Sequence, residues 1–281
     1  MSKELYLRKV VVDVIPRIGI PRRISGLRVK FKVVKTLERH PNRAEVQIYN
    51  LAPKTKSLLE AKDTKLRLSI GYLGLTPEGK TAELVESSST VETVLVGDVI
   101  KAVHKGEFPD VITKIEVGDG TNKHRNSRHD KGYPPGTKLK TVVRDVVDSM
   151  GLGSGPEEGI PDKTFAHGIS LSGLSREHLT ELLEDEGLEW SIQDETVQIL
   201  PEGKGTSESL IFISPETGLV GSPNPTAKGV EFVSLLQPRL RPGRRVQLDS
   251  RDFKGIFKVR TVTQEGDSEK ENFHSKCEAT K

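Results

Sequence analysis

Apolar and polar side chains alternate with a period of two along much of the first 120 residues. Val29, Phe31 and Val33 share one face, and Arg28, Lys30 and Lys32 the other. Ala44, Val46 and Ile48 alternate with Glu45, Gln47 and Tyr49. Leu66, Leu68, Ile70 and Tyr72 repeat the pattern, as do Val111, Thr113, Ile115 and Val117. Successive side chains of a strand point to opposite faces. A single apolar face therefore predicts an antiparallel sheet packed on one side only. Lys54 to Ala61, carrying Leu58 and Leu59, is expected as a short helix between the second and third strands. Residues 74–90, rich in Gly, Ser and Thr, read as a long hairpin loop.

The pattern changes after Gly120. Four basic residues, Lys123, Arg125, Arg128 and Lys131, precede Tyr133-Pro134-Pro135-Gly136, and residues 119–137 read as a boundary or flexible loop. Leu139, Val142, Val143, Val146, Val147 and Met150 then have helical spacing, with Gly151 as the stop. Residues 151–164 read as loop again. A second helix is expected with Ser175 as N-cap and Leu174 and Leu179 at the spacing of a hydrophobic staple. Leu179, Leu182 and Leu183 form its apolar stripe, and Gly187 ends it. Leu188, Trp190 and Ile192 alternate, Asp194-Glu195 turns, and Val197, Ile199 and Leu200 return as a hairpin.

The remainder reverts to strands: Leu210 to Ile213, Val230 to Leu236, Arg245 to Leu248, Phe253 to Val262 and Phe273 to Ala279. The expected class is mainly β (α+β overall), antiparallel, with a small α+β module inserted in a β-rich chain. The divisions are residues 1–120 (first β-rich domain, a barrel under the resemblance below), 121–205 (middle module) and 206–281 (second β-rich domain, likewise).

The two β-rich parts also resemble one another. Glu45-Val-Gln-Ile-Tyr-Asn-Leu-Ala-Pro53 parallels Glu231-Phe-Val-Ser-Leu-Leu-Gln-Pro238. The strand and turn from Gly97 parallel those from Gly255, and the return strands carry Ile115-Glu116-Val117 and Cys277-Glu278-Ala279. A duplication of this kind, in three chains, would make a ring of six similar units, closed by a head-to-tail interface.

Composition narrows the function. With 43 basic and 40 acidic residues the formal charge is only +3, too small for a strong nucleic-acid or membrane footprint. One Trp, four Tyr and eight Phe are too few for a base-stacking platform. Charged residues make up 30% and apolar residues 34%, so part of the buried area is expected between subunits or in thin barrels. No segment approaches the ~20 apolar residues that span a bilayer, so no stable membrane insertion is expected. The N-terminus lacks the apolar core of a signal peptide, and synthesis and assembly in a cytoplasm are expected.

Catalytic signatures are weak throughout. The lone Cys277 lies three residues from His274, on opposite faces of a strand, and reads as a small half-buried residue. Gly151-Leu-Gly153-Ser-Gly155 is followed by Pro156 and lacks a Lys-Ser/Thr, so it reads as a flexible loop rather than a phosphate cradle. His124 and His129 would need carboxylates from elsewhere to bind a metal. Gly168-Ile-Ser170-Leu-Ser172-Gly173 has the wrong spacing for a nucleophile elbow. Glu189 beside Trp190 is the tempting general acid, but adjacent strand residues face opposite sides and Glu189 is expected to face water. No catalytic, cofactor-binding or metal-binding residue is assigned.

Several stretches resemble the baseplate hubs of bacteriophage tails, in particular the short hubs of contractile-tailed phages. They are Phe31 to Thr36 followed by Pro41-Asn42 and Tyr49-Asn50-Leu51, Gly118-Asp-Gly120, and Gly187-Leu-Glu-Trp190. Leu66 to Tyr72 with the strand from Gly97, Ser214-Pro-Glu-Thr-Gly218 running to Pro223, Gly229-Val230, Ser234-Leu-Leu-Gln-Pro238, Gly266-Asp267 and Cys277-Glu-Ala279 complete the set. The likeness follows chain order and matches nothing at 74–90 or 123–135. It implies a homotrimer with two tail-tube-like barrels per chain, a structural protein without enzymatic activity. It also implies a pseudo-six-fold ring joining a hexameric tail tube protein to a trimeric central spike protein. The tape-measure protein is a further implied contact, and genome DNA passes only in transit. The implied location is the virion's tail baseplate, with assembly in the host cytoplasm and no cofactor. Two competing readings remain: a tail-tip peptidoglycan-degrading enzyme using a carboxylate pair, and a β-barrel that binds nucleic acid through Lys123 to Lys131.

Overall fold

A computed structural model of the chain describes residues 8–73, 91–270 and 272–281. The hairpin loop expected at 74–90 lies outside the described residues. The first third contains β1 (Arg8–Ile15), β2 (Arg22–Ile24), β3 (Val29–Thr36), β4 (Arg43–Tyr49), α1 (Pro53–Leu59), β5 (Lys65–Tyr72), β6 (Glu92–Glu107) and β7 (Asp110–Gly118). The middle contains α2 (Thr121–Asn126), β8 (Arg128–Tyr133), β9 (Thr137–Lys138), α3 (Leu139–Ser149), β10 (Gly153–Glu157), β11 (Thr164–Phe165), β12 (Ile169–Leu174), α4 (Ser175–Glu184), β13 (Leu188–Gln193) and β14 (Thr196–Pro201). The last part contains β15 (Ile211–Ile213), a 3-10 turn over Pro215–Thr217, β16 (Leu219–Thr226), β17 (Gly229–Leu235), β18 (Arg245–Asp249), β19 (Lys254–Asp267) and β20 (Phe273–Thr280). Strand dominates the fold. Among the described residues no helix is long and apolar enough to cross a membrane.

Among the described residues thirteen strands form one sheet in the order β16-β17-β20-β19-β3-β4-β7-β6-β5-β1-β2, with β18 pairing both β19 and β15. The alternation seen in sequence sets its faces. Val29, Phe31 and Val33 of β3 are buried while Lys30 and Lys32 are exposed. Val12, Val14, Phe31, Val46, Ile48, Leu66, Leu68 and Ile115 pack into one core. Ile213, Val230, Phe232, Val246, Leu248, Val259, Val262 and Cys277 pack into another. Each fully buried aliphatic side chain of this kind stabilises the fold by about 1.5–3 kcal/mol.

The two parts of the sheet repeat one another. The run β3-β4-β7-β6-β5 in the first part matches β16-β17-β20-β19-β18 in the second, neighbour for neighbour and antiparallel throughout. Both long strands are bulged at the same place, β6 between Val99 and Lys101 against β7, β19 between Val259 and Thr261 against β20. The ladders align Glu45 with Glu231 and Glu116 with Glu278, as the sequence comparison has them. The β6–β19 correspondence differs from that comparison by two residues, because Asp98 matches Lys258. The parts join where the far end of β19 pairs with β3, Thr261 opposite Thr36 through Asp267 opposite Lys30.

The middle segment has its own core of Leu139, Val142, Val143, Val146, Val147, Leu179, Leu183, Trp190 and Ile199. The spacing expected for α3 is realised, and Gly151 ends it in the left-handed region at φ 66. Trp190 donates its indole N–H to Thr180 Oγ1 at 3.1 Å.

Four expectations are corrected. Residues 119–137 are not a loop: α2 and β8 occupy them, and β8 pairs with β12. Within glycine-rich 151–155, Gly153 to Gly155 begin β10, a strand parallel to β14, because their missing side chains let it lie close to Thr196 and Val197. Ser175 is the first residue of α4 rather than its cap. Leu174 holds the cap position without a side-chain bond, and the Ser175 hydroxyl pairs with that of Ser149 at 2.9 Å. Cys277 is fully buried, not half-buried.

Candidate assembly surface

The middle segment is fixed to the sheet by the tip of the β13–β14 hairpin. Asp194 and Glu195 both adopt the left-handed region, with φ 55 and 62. Non-glycine residues pay for this conformation with order 1 kcal/mol each, so the surroundings must hold it. Asp119, at the end of β7, does so by accepting the N–H groups of Asp194 at 2.8 Å and Glu195 at 2.6 Å. Lys35 Nζ on β3 donates to Asp194 Oδ1 at 2.6 Å, and Lys65 Nζ on β5 to Glu195 Oε2 at 2.6 Å. Asn42 donates through Nδ2 to the Ile192 carbonyl at 2.7 Å and accepts the Thr36 N–H at 2.9 Å. Gln193 Nε2 donates to the Thr36 carbonyl at 2.8 Å.

Burial pushes the Asp119 carboxyl up to about 6, and neighbouring Asp194 adds to the effect. Lys35 and the two backbone donors pull the other way. A second ionic cluster lies on the other side of the β3–β19 seam. Glu189 on β13 accepts from Lys258 and, at 3.1 Å, from Arg260, both on β19. The hairpin therefore holds both strands of the seam at once, through residues of opposite charge that leave the water-filled surface only because they are paired.

Opposite the cores, the sheet presents a continuous polar face. Lys30 and Lys32 of β3, Arg43 and Glu45 of β4, Lys114 and Glu116 of β7, and Lys276 and Glu278 of β20 all belong to it. Charges of both signs alternate there, with few aromatic rings. Such a face wets readily, although the ladders put the exposed Val103, Val220 and Leu235 on the same side.

The residues weighed as catalytic or binding candidates are dispersed. Glu189 does not face water, a correction: β13 lies against β19, so the side opposite Trp190 meets Lys258 and Arg260. Lys123 bonds the Gly151 carbonyl, Lys131 pairs with Asp145, and Arg128 lies 3.7 Å from Asp130. The basic run is thus divided between α2 and β8, with three members engaged locally. The His124 ring lies 6.0 Å from that of Trp190, tilted by 36°, while His129 Nε2 meets the Tyr133 hydroxyl at 2.8 Å. Burial lowers the pKa of both histidines. Among the described residues no group of three or more His, Cys, Asp or Glu is placed to hold a metal ion. Ser172 donates to Asp130 at 2.6 Å on β12.

Lys35, Asp119 and Lys258 were not singled out from the sequence. Lys35 carried a signal: it follows Val29, Phe31 and Val33 at the same parity, so the period of two already put it on the buried face. Asp119 and Lys258 become partners only through contacts distant in sequence.

Comparison with solved structures places the fold among tail proteins. The 43 kDa tail protein of prophage MuSo2 from Shewanella oneidensis matches with a TM-score of 0.65 at 10% identity, over 98% of each chain. A tail protein from Neisseria meningitidis matches at 0.59 and 10% identity, over 98% of this chain and 97% of that one. An E. coli component of the type VI secretion system, described as structurally similar to T4 tail proteins gp27 and gp5, matches at 0.54 and 12% identity, over 98% of this chain and 76% of that one. No curated protein matches the sequence. The family model for baseplate hub gp41 matches residues 9–253, from the start of β1 to beyond β18. That match spans the first repeat, the middle segment and the second repeat as far as β18, and the chain belongs to the baseplate hub gp41 family of phage tail proteins.

Proposed function

We propose that the chain is a structural, non-enzymatic hub. In this reading three copies form a pseudo-six-fold ring that joins a hexameric tail tube to a trimeric central spike. Each chain supplies two tube-like barrels, residues 1–120 and 206–281, and a middle module, residues 121–205. The observation that carries the reading is the duplicated strand order, β3-β4-β7-β6-β5 and β16-β17-β20-β19-β18, joined edge to edge by β19 and β3. Two equivalent units per chain are what a three-fold protein needs to face a six-fold one. The mixed-charge polar face suits the wall of a wet channel for genome and tape-measure protein. The type VI relative's likeness to two T4 tail proteins supports a place in a tail assembly. Residence in the virion baseplate after assembly in the host cytoplasm belongs to the same reading.

The test is the mass of the purified protein by light scattering, alone and mixed with the matching spike protein. The expected result is about 93 kDa, three chains of 31.0 kDa, either alone or once the spike is added. A stable monomer indifferent to the spike refutes the proposal.

A further inference from the structure

Four of the chain's seven histidines lie at or beside α4: His178 on the helix, His129 on β8, His124 on α2 and His40 between β3 and β4. Two of them meet over one cross-strand pair. His129 is opposite Gly173 in the β8–β12 ladder, and a Cβ on Gly173 would stand 3.4 Å from His178 Nε2. Opposite residues of a ladder share a face, so both rings lie on the side of the ribbon that α4 covers. Both are buried, His129 at 7% exposure and His178 at 9%.

The site holds these rings neutral. Both ring nitrogens of His178 are buried without a hydrogen-bond partner. The carboxylate of Glu181, one turn on, stays 4.0 Å from Nδ1, with its side chain 76% exposed. A proton added to His178 in place would make a buried cation with no acceptor. His129 Nε2 meets the hydroxyl of Tyr133, whose own proton goes to Asp145 at 3.0 Å. Nε2 is therefore already a donor, and a further proton must enter at Nδ1. Burial lowers the pKa of His129, Asp145 and Asp130 pull it up, and His178 and Lys131 push it down further. His124 is tied to the same helix: Arg176 of α4 donates to the carbonyls of His124 at 3.3 Å and Arg125 at 3.1 Å. Burial first, then Arg176 and His40, lower the pKa of His124, against a bond to the backbone of Arg39.

We propose that α4 is a proton-operated latch: in acid it lifts from β8, β12 and Trp190, while the β13–β14 hairpin keeps its hold on the sheet. Lifting breaks the Trp190–Thr180 bond, lets water reach the imidazoles and frees Glu181 to pair with His178. It also parts Arg176 from His124. The sign follows from linkage. His124 and His129 are depressed in the closed state, so their contribution to closure is fully present above about 6.5 and is lost as pH falls below it. The hairpin responds in the opposite sense, because Asp119 favours its proton in the folded state. Acid thus loosens the helix and tightens the anchor, which makes the opening local.

The test is amide hydrogen exchange on the full chain at pH 7, 6 and 5, corrected for the intrinsic rate and read on fragments covering α4, β3 and β4. Each proton taken up on opening raises the open population by up to about tenfold per pH unit. The expected result is a rise of more than about tenfold for α4 between pH 7 and 5, with β3 and β4 unchanged. His178→Gln cannot charge and should cut that rise several-fold. Glu181→Gln, at an exposed position, should keep wild-type protection at pH 7 and also cut the rise, so it carries the test if His178→Gln does not fold. Protection of α4 that stays flat from pH 7 to 5 overturns the latch. A rise shared equally by β3 and β4 overturns it too, since the whole chain would then be unfolding. A rise that Glu181→Gln and a folded His178→Gln both leave undiminished overturns the assignment to His178.

Discussion

Replacing Asp119 with Asn tests whether burial governs the hairpin anchor. Asp119 has no exposed surface and an ordinary carboxyl pKa of 3.8 that the fold raises to about 6. The native state therefore favours the protonated acid more than the unfolded chain does. The stability from that preference is fully present below the unfolded pKa and is lost as pH rises through about 6. Two units of pKa at about 1.4 kcal/mol each make the loss about 3 kcal/mol between pH 4 and pH 7. Asp119→Asn cannot ionise and lacks this slope. It also presents one carbonyl oxygen to two backbone donors, so one of them loses its acceptor at a pH-independent cost of about 1–3 kcal/mol. The slope thus separates the two effects. Urea unfolding at pH 4, 5, 6 and 7 and constant ionic strength, followed by the fluorescence of the single Trp190, gives the difference in stability at each pH. The variant is expected to gain about 3 kcal/mol on the wild type across the range. Parallel profiles refute the argument. A variant that loses ground as pH rises would mean that Lys35 and the backbone donors outweigh burial.

Two further outcomes follow from burial and parity. Lys35→Ala removes a cation that is 2% exposed and leaves Asp194 without its closest partner, so a loss of about 3–5 kcal/mol in urea unfolding is expected. Lys32→Ala on the opposite face of the same strand should cost under about 1 kcal/mol, and equal costs would refute the assignment of faces. Burial pushes the Cys277 thiol up, so a disulfide reagent such as DTNB should titrate one thiol per chain in denaturant and almost none in the native protein; rapid native labelling would refute its burial.

The strands that were legible in the sequence are those with one wet face. β3, β4, β5 and β7 alternate cleanly, and α3 presents five buried residues at helical spacing. The hairpin at Asp194-Glu195 was legible because alternating apolar residues flank a charged pair on both sides. β10 and β16 were not legible, being built from Gly, Ser, Pro and Asn, residues that ordinarily mark turns; their neighbours hold them extended. Glu189 was misplaced for a related reason. Parity put it opposite Trp190 correctly, but only the fold reveals that the opposite side is covered by Lys258 and Arg260. The anchor at Asp119 was hidden for lack of any local sign, its partners lying more than 70 residues away.

The shared bulge explains why two strands of the sheet are so long. β6 has 16 residues and β19 has 14, against about 5–6 for an ordinary strand. Each serves two neighbours. The first half pairs with β5 or β18 of its own repeat, and the second half reaches past that strand. A bulge bends the strand and sharpens its twist, which lets one strand leave one layer and enter the next. The bulge residues are Ile100 in β6 and Arg260 in β19, and they differ in what they meet. Arg260 receives the Leu37 N–H at 3.0 Å and holds Glu189 of the middle segment, whereas Ile100 stays half exposed. The middle segment therefore sits over the β19–β3 seam, on the side of Arg260. On the proposed ring, three seams carry it and three do not. An arrangement that repeats six times at the level of strands is thereby reduced to three-fold on the side where the modules stand, the symmetry a trimeric partner requires.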